Sequence, residues 1–162
     1  MVAVITSARQ IGPLRANDLE SVIAIDRSHT GHSRGHFFEK RFAAAEQKPE
    51  DFVHLGIVRD GRLRGFALAR VLRGEFGRQD VVAVLDALGV DVHSQDVGIG
   101  QRLMEALVDE LRLRGARSLH SQAKWTDHDL LGFFEVSGFT LSPRLVIERP
   151  VAVPLIEELE EP

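Results

Sequence analysis

The sequence predicts an α/β domain of three layers, in which a mixed, mostly antiparallel sheet is flanked by helices. Three stretches predict it. In the first, Val81–Val92 is an apolar run rich in Val and Leu, which reads as a strand. A glycine turn, Gln95-Asp96-Val97-Gly98-Ile99-Gly100-Gln101, follows it. Then Ile99, Leu103, Ala106, Leu107 and Leu111 recur at three- and four-residue spacing, which marks one face of an amphipathic helix. The second stretch is Asp60-Gly61, a two-residue hairpin turn between the strand-like segments Phe52–Arg59 and Leu63–Leu72. The third is Ser118–Ala123, a strand after the helix, expected to lie parallel to the one before it.

A chain of 162 residues suits one domain with a real core, here assigned to residues 1–150. A hydrophobic share of 44% and a charged share of 27% are those of an ordinary globular protein. With no cysteine there is no disulfide framework, thiolate metal site or cysteine nucleophile. A net charge of −4 argues against a nucleic-acid partner and gives no reason to invoke a membrane surface. No apolar run is long enough to span a bilayer, and the first residues lack the basic start and long apolar core of a secretory signal. The expected location is therefore cytoplasmic.

In order along the chain, Ile11–Arg15 reads as a first strand, with Pro13 suggesting an edge. Asn17-Asp18-Leu19-Glu20 resembles a capped helix start, and Leu19, Val22, Ile23 and Ile25 or Asp26 carry a short helix. His29–His36 contains Gly31 and Gly35 and reads as a loop, followed by a helix from about Gly35 to Glu46. His29, His32 and His36 have spacings of three and four, so a metal site deserves naming. The two glycines argue against the continuous helix such a site needs, which leaves surface or substrate-loop histidines. The hairpin returns along Leu63–Leu72, and Val81–Val92, apolar on both faces, is expected at the centre of the sheet. Glu110 and Arg114 form an i,i+4 pair just before Gly115, a helix-ending glycine. Thr126-Asp127-His128-Asp129 resembles a capping box that opens a helix through Leu130, Leu131, Phe133, Phe134 and Val136 to Gly138. Phe139–Leu141 and Leu145–Arg149 read as closing strands around Pro143, and 151–162 as an acidic extension.

Two glycines at the 95–101 turn let the backbone approach a ligand with its N–H groups outward. The helix N-terminus adds positive potential, so the turn suits a phosphate. Neither common nucleotide signature is met: there is no Gly-x-x-x-x-Gly-Lys-Ser/Thr, and Leu103 stands where Gly-x-Gly-x-x-Gly needs its third glycine. A turn whose glycines only relieve sterics, or one that takes a different phosphate ligand, remains open on these residues alone.

The wider context resembles the GNAT acetyltransferases. Val90 to Gly100 is similar to their acyl-CoA signature, a strand ending in a bulge, then Arg/Gln-x-x-Gly-x-Gly/Ala, then a helix, with Gln95, Gly98 and Gly100 in the defining places. Downstream, Phe134-Glu135-Val136-Ser137-Gly138-Phe139 is similar to the family's Tyr-x-x-x-Gly-Phe, with Phe134 in place of Tyr. The resemblance implies an N-acetyltransferase that moves an acetyl group from acetyl-CoA to a primary amine by direct attack on the thioester, and a possible homodimer. It implies a pyrophosphate cradle of backbone N–H groups from Val97, Gly98, Ile99, Gly100 and Gln101. It also implies a pantetheine edge at Val90 and Val92, between two strands that splay apart. An oxyanion donor is expected from a backbone N–H at the same bulge. The alternative reading is a CoA-binding sensor or structural module with little catalysis.

Proton handling is where this chain departs from the family. Phe134 cannot donate a proton, and the sequence holds no tyrosine. General-acid help is worth roughly 10²–10⁴-fold, yet a thiol with a pKa near about 8.5 leaves tolerably as thiolate. Ser137, one turn on, or a water are the substitutes considered. For the base, Asp86 alternates with Val84, Leu88 and Val90 and so is expected on their face, where apolar neighbours would raise its pKa. An Asp paired with an Arg is the plain alternative. Asp91 and His93 are weaker candidates for the base, and Glu39 is a possible substrate contact. Trp125 is expected in the core or beside the acyl slot. His120, Ser121 and Asp127 supply the residue types of a hydrolase triad, but no Gly-x-Ser-x-Gly elbow surrounds Ser121.

Overall fold

The computed structural model describes residues 10–74 and 79–151. Residues 1–10 read from the sequence as a short strand or a loose end; the first nine of them and the acidic tail from 152 lie outside the described residues. In chain order come β1 (Gln10–Pro13), α1 (Leu19–Thr30), α2 (Gly35–Gln47), β2 (Phe52–Arg59), β3 (Arg62–Arg73), β4 (Val81–Val90), α3 (Ile99–Leu113), β5 (Ser118–His120) and α4 (His128–Val136). The five strands lie side by side in sequence order, antiparallel from β1 to β4 and parallel between β4 and β5.

Helices cover both faces. On one face α1 and α2 bring Val22, Ile25, Phe38 and Phe42 against Phe66, Leu68 and Ala87. On the other α3 brings Ile99, Leu103, Met104, Leu107 and Leu111, and α4 brings Phe134, against Val53, Ile57, Ala67, Ala69, Ala83 and Leu85. The middle strand is β3, whose Phe66, Ala67, Leu68 and Ala69 are wholly buried. The central place expected for Val81–Val92 therefore belongs to its neighbour. An apolar run on both faces marks a covered strand, and here both are covered.

Local backbone chemistry sets the turns. Asp60 (φ 53°) and Gly61 (φ 71°) close the β2–β3 hairpin with both central residues left-handed. α1 runs past its expected end to Thr30 and stops at Gly31 (φ 74°), whose N–H bonds the Arg27 carbonyl. Its entry also differs from expectation: Asp18 bonds back to the Arg15 N–H at 2.7 Å, ahead of the Asn17 box. Asp127, one residue after the expected Thr126, caps α4 by accepting from the Leu130 N–H at 3.1 Å.

A bulge in β4 governs the site. Leu68 faces Ala87 and Ala69 faces Leu85, so Asp86 has no partner across the ladder. Side-chain alternation flips there. Ala83 and Leu85 pack on the α3 side, Ala87 packs on the α1 side, and Leu88 and Val90 return to the α3 side. Asp86 is thus on the face opposite Leu88 and Val90. The single face expected for these residues is corrected by one extra residue in the strand.

Past Phe139 no closing strand forms among the described residues. The residues from 140 to 151 are exposed coil, with Leu141, Leu145, Val146, Ile147 and Val151 in solvent. Their apolar content is that of a strand, but no partner strand meets them among the described residues. β5 is likewise shorter than expected, ending at His120.

Candidate active site

The site forms where β4 leaves the sheet. β5 pairs with β4 only along Val82–Val84, so from Leu85 to Val90 that edge of β4 has no neighbouring strand among the described residues. A peptide plane decides which groups face the gap. The Asp91 N–H bonds the Arg64 carbonyl on β3 at 2.8 Å. In a planar trans peptide the C=O points the opposite way, so the Val90 carbonyl is aimed at the free edge.

After Val90 the chain turns through a 3-10 segment, Val92–Val97, into α3. Asp91 anchors this turn. Its carboxylate accepts from Arg64 Nη1 at 2.9 Å and from the His93 N–H at 3.3 Å. Burial alone would raise the Asp91 pKa, but these two hydrogen bonds and the Arg64 charge hold it below its ordinary value. Gln95 and Val97 supply backbone to the turn, and Val92 is exposed.

Gly98 (φ 65°) is the N-cap of α3 and offers no capping side chain. The first helical bond runs from the Arg102 N–H to the Gly98 carbonyl at 3.2 Å. The N–H groups of Ile99, Gly100 and Gln101 precede it and have no intrahelical acceptor. A Cβ at Gly98 would meet nothing within 4 Å, so space opens above the turn. Gly100 is tighter, with Phe133 Cε2 at 3.2 Å from such a Cβ. Uncapped amides, the positive end of a helix and no acid in its first turn make an anion site.

These parts meet in one cavity, lined by His29, Leu88, Gly89, Val90, Gly98, Gly100, Gln101 and Phe133. The profile of the Acetyltransferase (GNAT) family matches residues 19–139, from the start of α1 to Phe139. The chain belongs to the GNAT acetyltransferase family. The ribosomal protein bS18-alanine N-acetyltransferase of Escherichia coli is 28% identical over 132 residues, which is 80% of this chain and 79% of that one. In fold this GNAT chain matches a ribosomal-protein-alanine N-acetyltransferase from Brucella melitensis, with TM-score 0.69, 19% identity and 88% and 99% of the two chains covered. It also matches the aminoglycoside 6'-N-acetyltransferase AAC(6')-Ih from Acinetobacter baumannii, with TM-score 0.73, 14% identity and 87% and 97% covered.

The GNAT frame sorts the residues singled out in the sequence. Val90, Gly98, Gly100 and Gln101 line the cavity, and Ile99 turns inward as a core anchor, 1% exposed. Phe134 does not line it. It is buried against Phe139, with ring centroids 4.7 Å apart, and its neighbour Phe133 faces the cavity. Ser137 is on the far side of α3, in a depression with Met104, Val108 and Asp109, and its buried Oγ has no hydrogen-bond partner. Asp86 points away from the cavity. Arg70 Nε bonds its two oxygens at 2.9 and 2.8 Å, and Arg41 Nε lies 2.8 Å from Oδ2. The carboxylate expected as a base is an ion-pair hub tying α2 to the sheet.

The remaining candidates are peripheral. His93 is exposed, Glu39 pairs with His36 at 3.6 Å on the surface, and Trp125 is 85% exposed, outside both the core and the cavity. His120 Nε2 bonds Ser118 Oγ at 3.0 Å and Asp127 is occupied as a helix cap, so no triad assembles. Among the described residues no cluster of His, Cys, Asp or Glu is placed to hold a metal. The same residues include no helix long and apolar enough to cross a membrane.

Four cavity residues are not among the site residues expected from the sequence: Leu88, Gly89, Phe133 and His29, the last of these expected only as a surface or substrate-loop histidine. The signal for His29 was present: Val22, Ile25 and His29 continue one helical stripe that ends only at Gly31.

Proposed function

We propose that the chain binds acetyl-CoA along the free edge of β4 and the uncapped start of α3, and passes its acetyl group directly to a primary amine. The observation that carries this is the convergence on one cavity of the uncapped amides of α3 and of a β4 edge that no strand covers among the described residues. The amides of Ile99, Gly100 and Gln101 suit the pyrophosphate. The Leu85–Val90 edge suits an extended, amide-bearing arm, in the way a peptide adds to a sheet. Gln95, Val97 and Val92 contribute backbone beside them.

The acceptor proposed for the first trial is the N-terminal α-amine of a protein, as in the name of the Escherichia coli relative. An aminoglycoside amine is the second, since such enzymes share the fold. A second copy of the chain is the proposed partner for the exposed apolar residues between Leu141 and Val151, and the cytoplasm is the proposed location. The test is release of free CoA from acetyl-CoA in the presence of a peptide that begins with alanine. Peptide-dependent release, with a 42 Da gain on the peptide, supports the reading. No release with peptide, aminoglycoside or other amines contradicts it.

A further inference from the structure

Among the described residues that line the cavity, His29 is the only one with an ionisable side chain. It stands at the last turn of α1, exposed at the mouth, and reaches 61 residues along the chain to the end of β4. There its Nε2 lies 2.5 Å from the Val90 carbonyl oxygen. A carbonyl can only accept, so Nε2 carries the proton. In neutral imidazole the other nitrogen, Nδ1, is then bare and basic.

We infer that His29 is the general base of the transfer, taking a proton from the acceptor's ammonium through Nδ1. The inference rests on the acetyl-transfer reading above. The amine freed by His29 attacks the thioester carbonyl carbon. The C–N bond forms and the C–S bond breaks. CoA leaves as thiolate and takes up the second proton shed by nitrogen, and His29 returns the first to solvent. The Val90 carbonyl fixes the ring's tautomer and its place at the strand edge, as a backbone acceptor orients a catalytic imidazole.

The other ionisable groups nearby are engaged or out in solvent. Asp26, on the same helix, is buried and held by Arg34 through Nη2 and through Nε at 2.9 Å. Asp91 is held by Arg64, His32 Nδ1 bonds the Thr30 carbonyl at 3.0 Å, and Arg27 and His93 are exposed.

The experiment compares wild type with His29→Gln and His29→Ala in the full chain. Gln retains an N–H for Val90 but is not a base. Three quantities are read: the acetyl-CoA-induced rise in melting temperature, kcat between pH 5 and 9, and KM. The amine is whichever of an alanine-terminated peptide and an aminoglycoside releases CoA with wild type. The expected result is an unchanged melting rise in His29→Gln, a kcat about 10²–10⁴-fold lower, and loss of the acid limb of the wild-type kcat profile. A His29→Gln enzyme within about threefold of wild-type kcat, with the acid limb intact, overturns the inference and leaves acetyl transfer standing. A wild type that binds no acetyl-CoA or acetylates no amine overturns both.

Discussion

Arg70 Nε grips both carboxylate oxygens of Asp86, at 2.9 and 2.8 Å, across the one place in the β3–β4 ladder where a β4 residue has no partner. The extra residue of a bulge shifts the side-chain alternation that follows it. Asp86 lies on the face opposite Leu85, toward two arginines, and the shift after it puts Ala87 on the same side and sends Leu88 and Val90 to the cavity face.

The first prediction follows from this pair. Asp86→Asn leaves two guanidinium groups without their carboxylate. The acid is 5% exposed and the arginines 25% and 33%, so the loss is expected at about 2–4 kcal/mol, below the cost at a fully buried site. Denaturant unfolding measures it. The kcat of the folded variant is expected within about threefold of wild type, since Asp86 does not face the cavity. A folded variant with no turnover would return Asp86 to the list of bases.

His54 gives the second. It lies on β2 between the rings of Phe42 and Phe52, and its Nε2 is buried without a hydrogen bond. Burial, and then the charge of Arg41, push its pKa down to about 4. Unfolded, it titrates near about 6.5. Between these values the unfolded chain binds more protons, so stability falls as pH drops from about 6.5 to 4, by at most about 3 kcal/mol from this residue. His54→Leu should remove that part of the acid dependence in melts at pH 7.5, 6, 5 and 4.

The third concerns Asp91 and Arg64, which pin the turn below the cavity at 2.9 Å. The Asp91 pKa is held down, so its stabilising contribution is present at neutral pH, above the unfolded value. It is lost as pH falls through the folded one. Asp91→Asn is expected to raise KM for acetyl-CoA more than it lowers kcat, because the clamp positions the cradle. Steady-state kinetics at varied acetyl-CoA separates the two.

What the sequence disclosed and what it withheld follow physical lines. Asp60-Gly61, Gly98 and Gly115 were legible because a left-handed backbone is a local demand that particular residues meet. The 99–113 helix was legible from its apolar stripe. The bulge at Asp86 was not, because it depends on how β4 registers against β3, and alternation within β4 alone predicts the wrong face. His29 falls in a polar, glycine-bearing stretch that reads as a loop, whereas Gly31 is the end of α1 and leaves His29 on its last turn. Phe134 and Ser137 came from a motif, which gives positions in the chain but not the rotation of α4. That rotation puts Phe133 at the cavity. The apolar residues from 141 to 151 read as strands because a strand pattern states a need for a partner without naming one.

A fourth prediction tests the cradle. Gly98→Ala places a side chain at φ 65° with no steric contact nearby, so backbone strain alone costs about 1–2 kcal/mol of stability. Gly100→Leu adds bulk where Phe133 and Val90 leave little space, with contacts already at 3.2 and 3.6 Å from a Cβ. Both variants are expected to fold, and both to lose acetyl-CoA affinity in titration calorimetry.

The most direct test of the central claim is a thermal melt of the wild type and Gly98→Ala with and without acetyl-CoA. At about 100 times the dissociation constant, ligand binding adds roughly 2.7 kcal/mol. That corresponds to a rise of about 5–10 °C for a chain of this size. The account predicts that rise for the wild type and its near disappearance in Gly98→Ala. An unchanged wild-type melting temperature at saturating acetyl-CoA would contradict it.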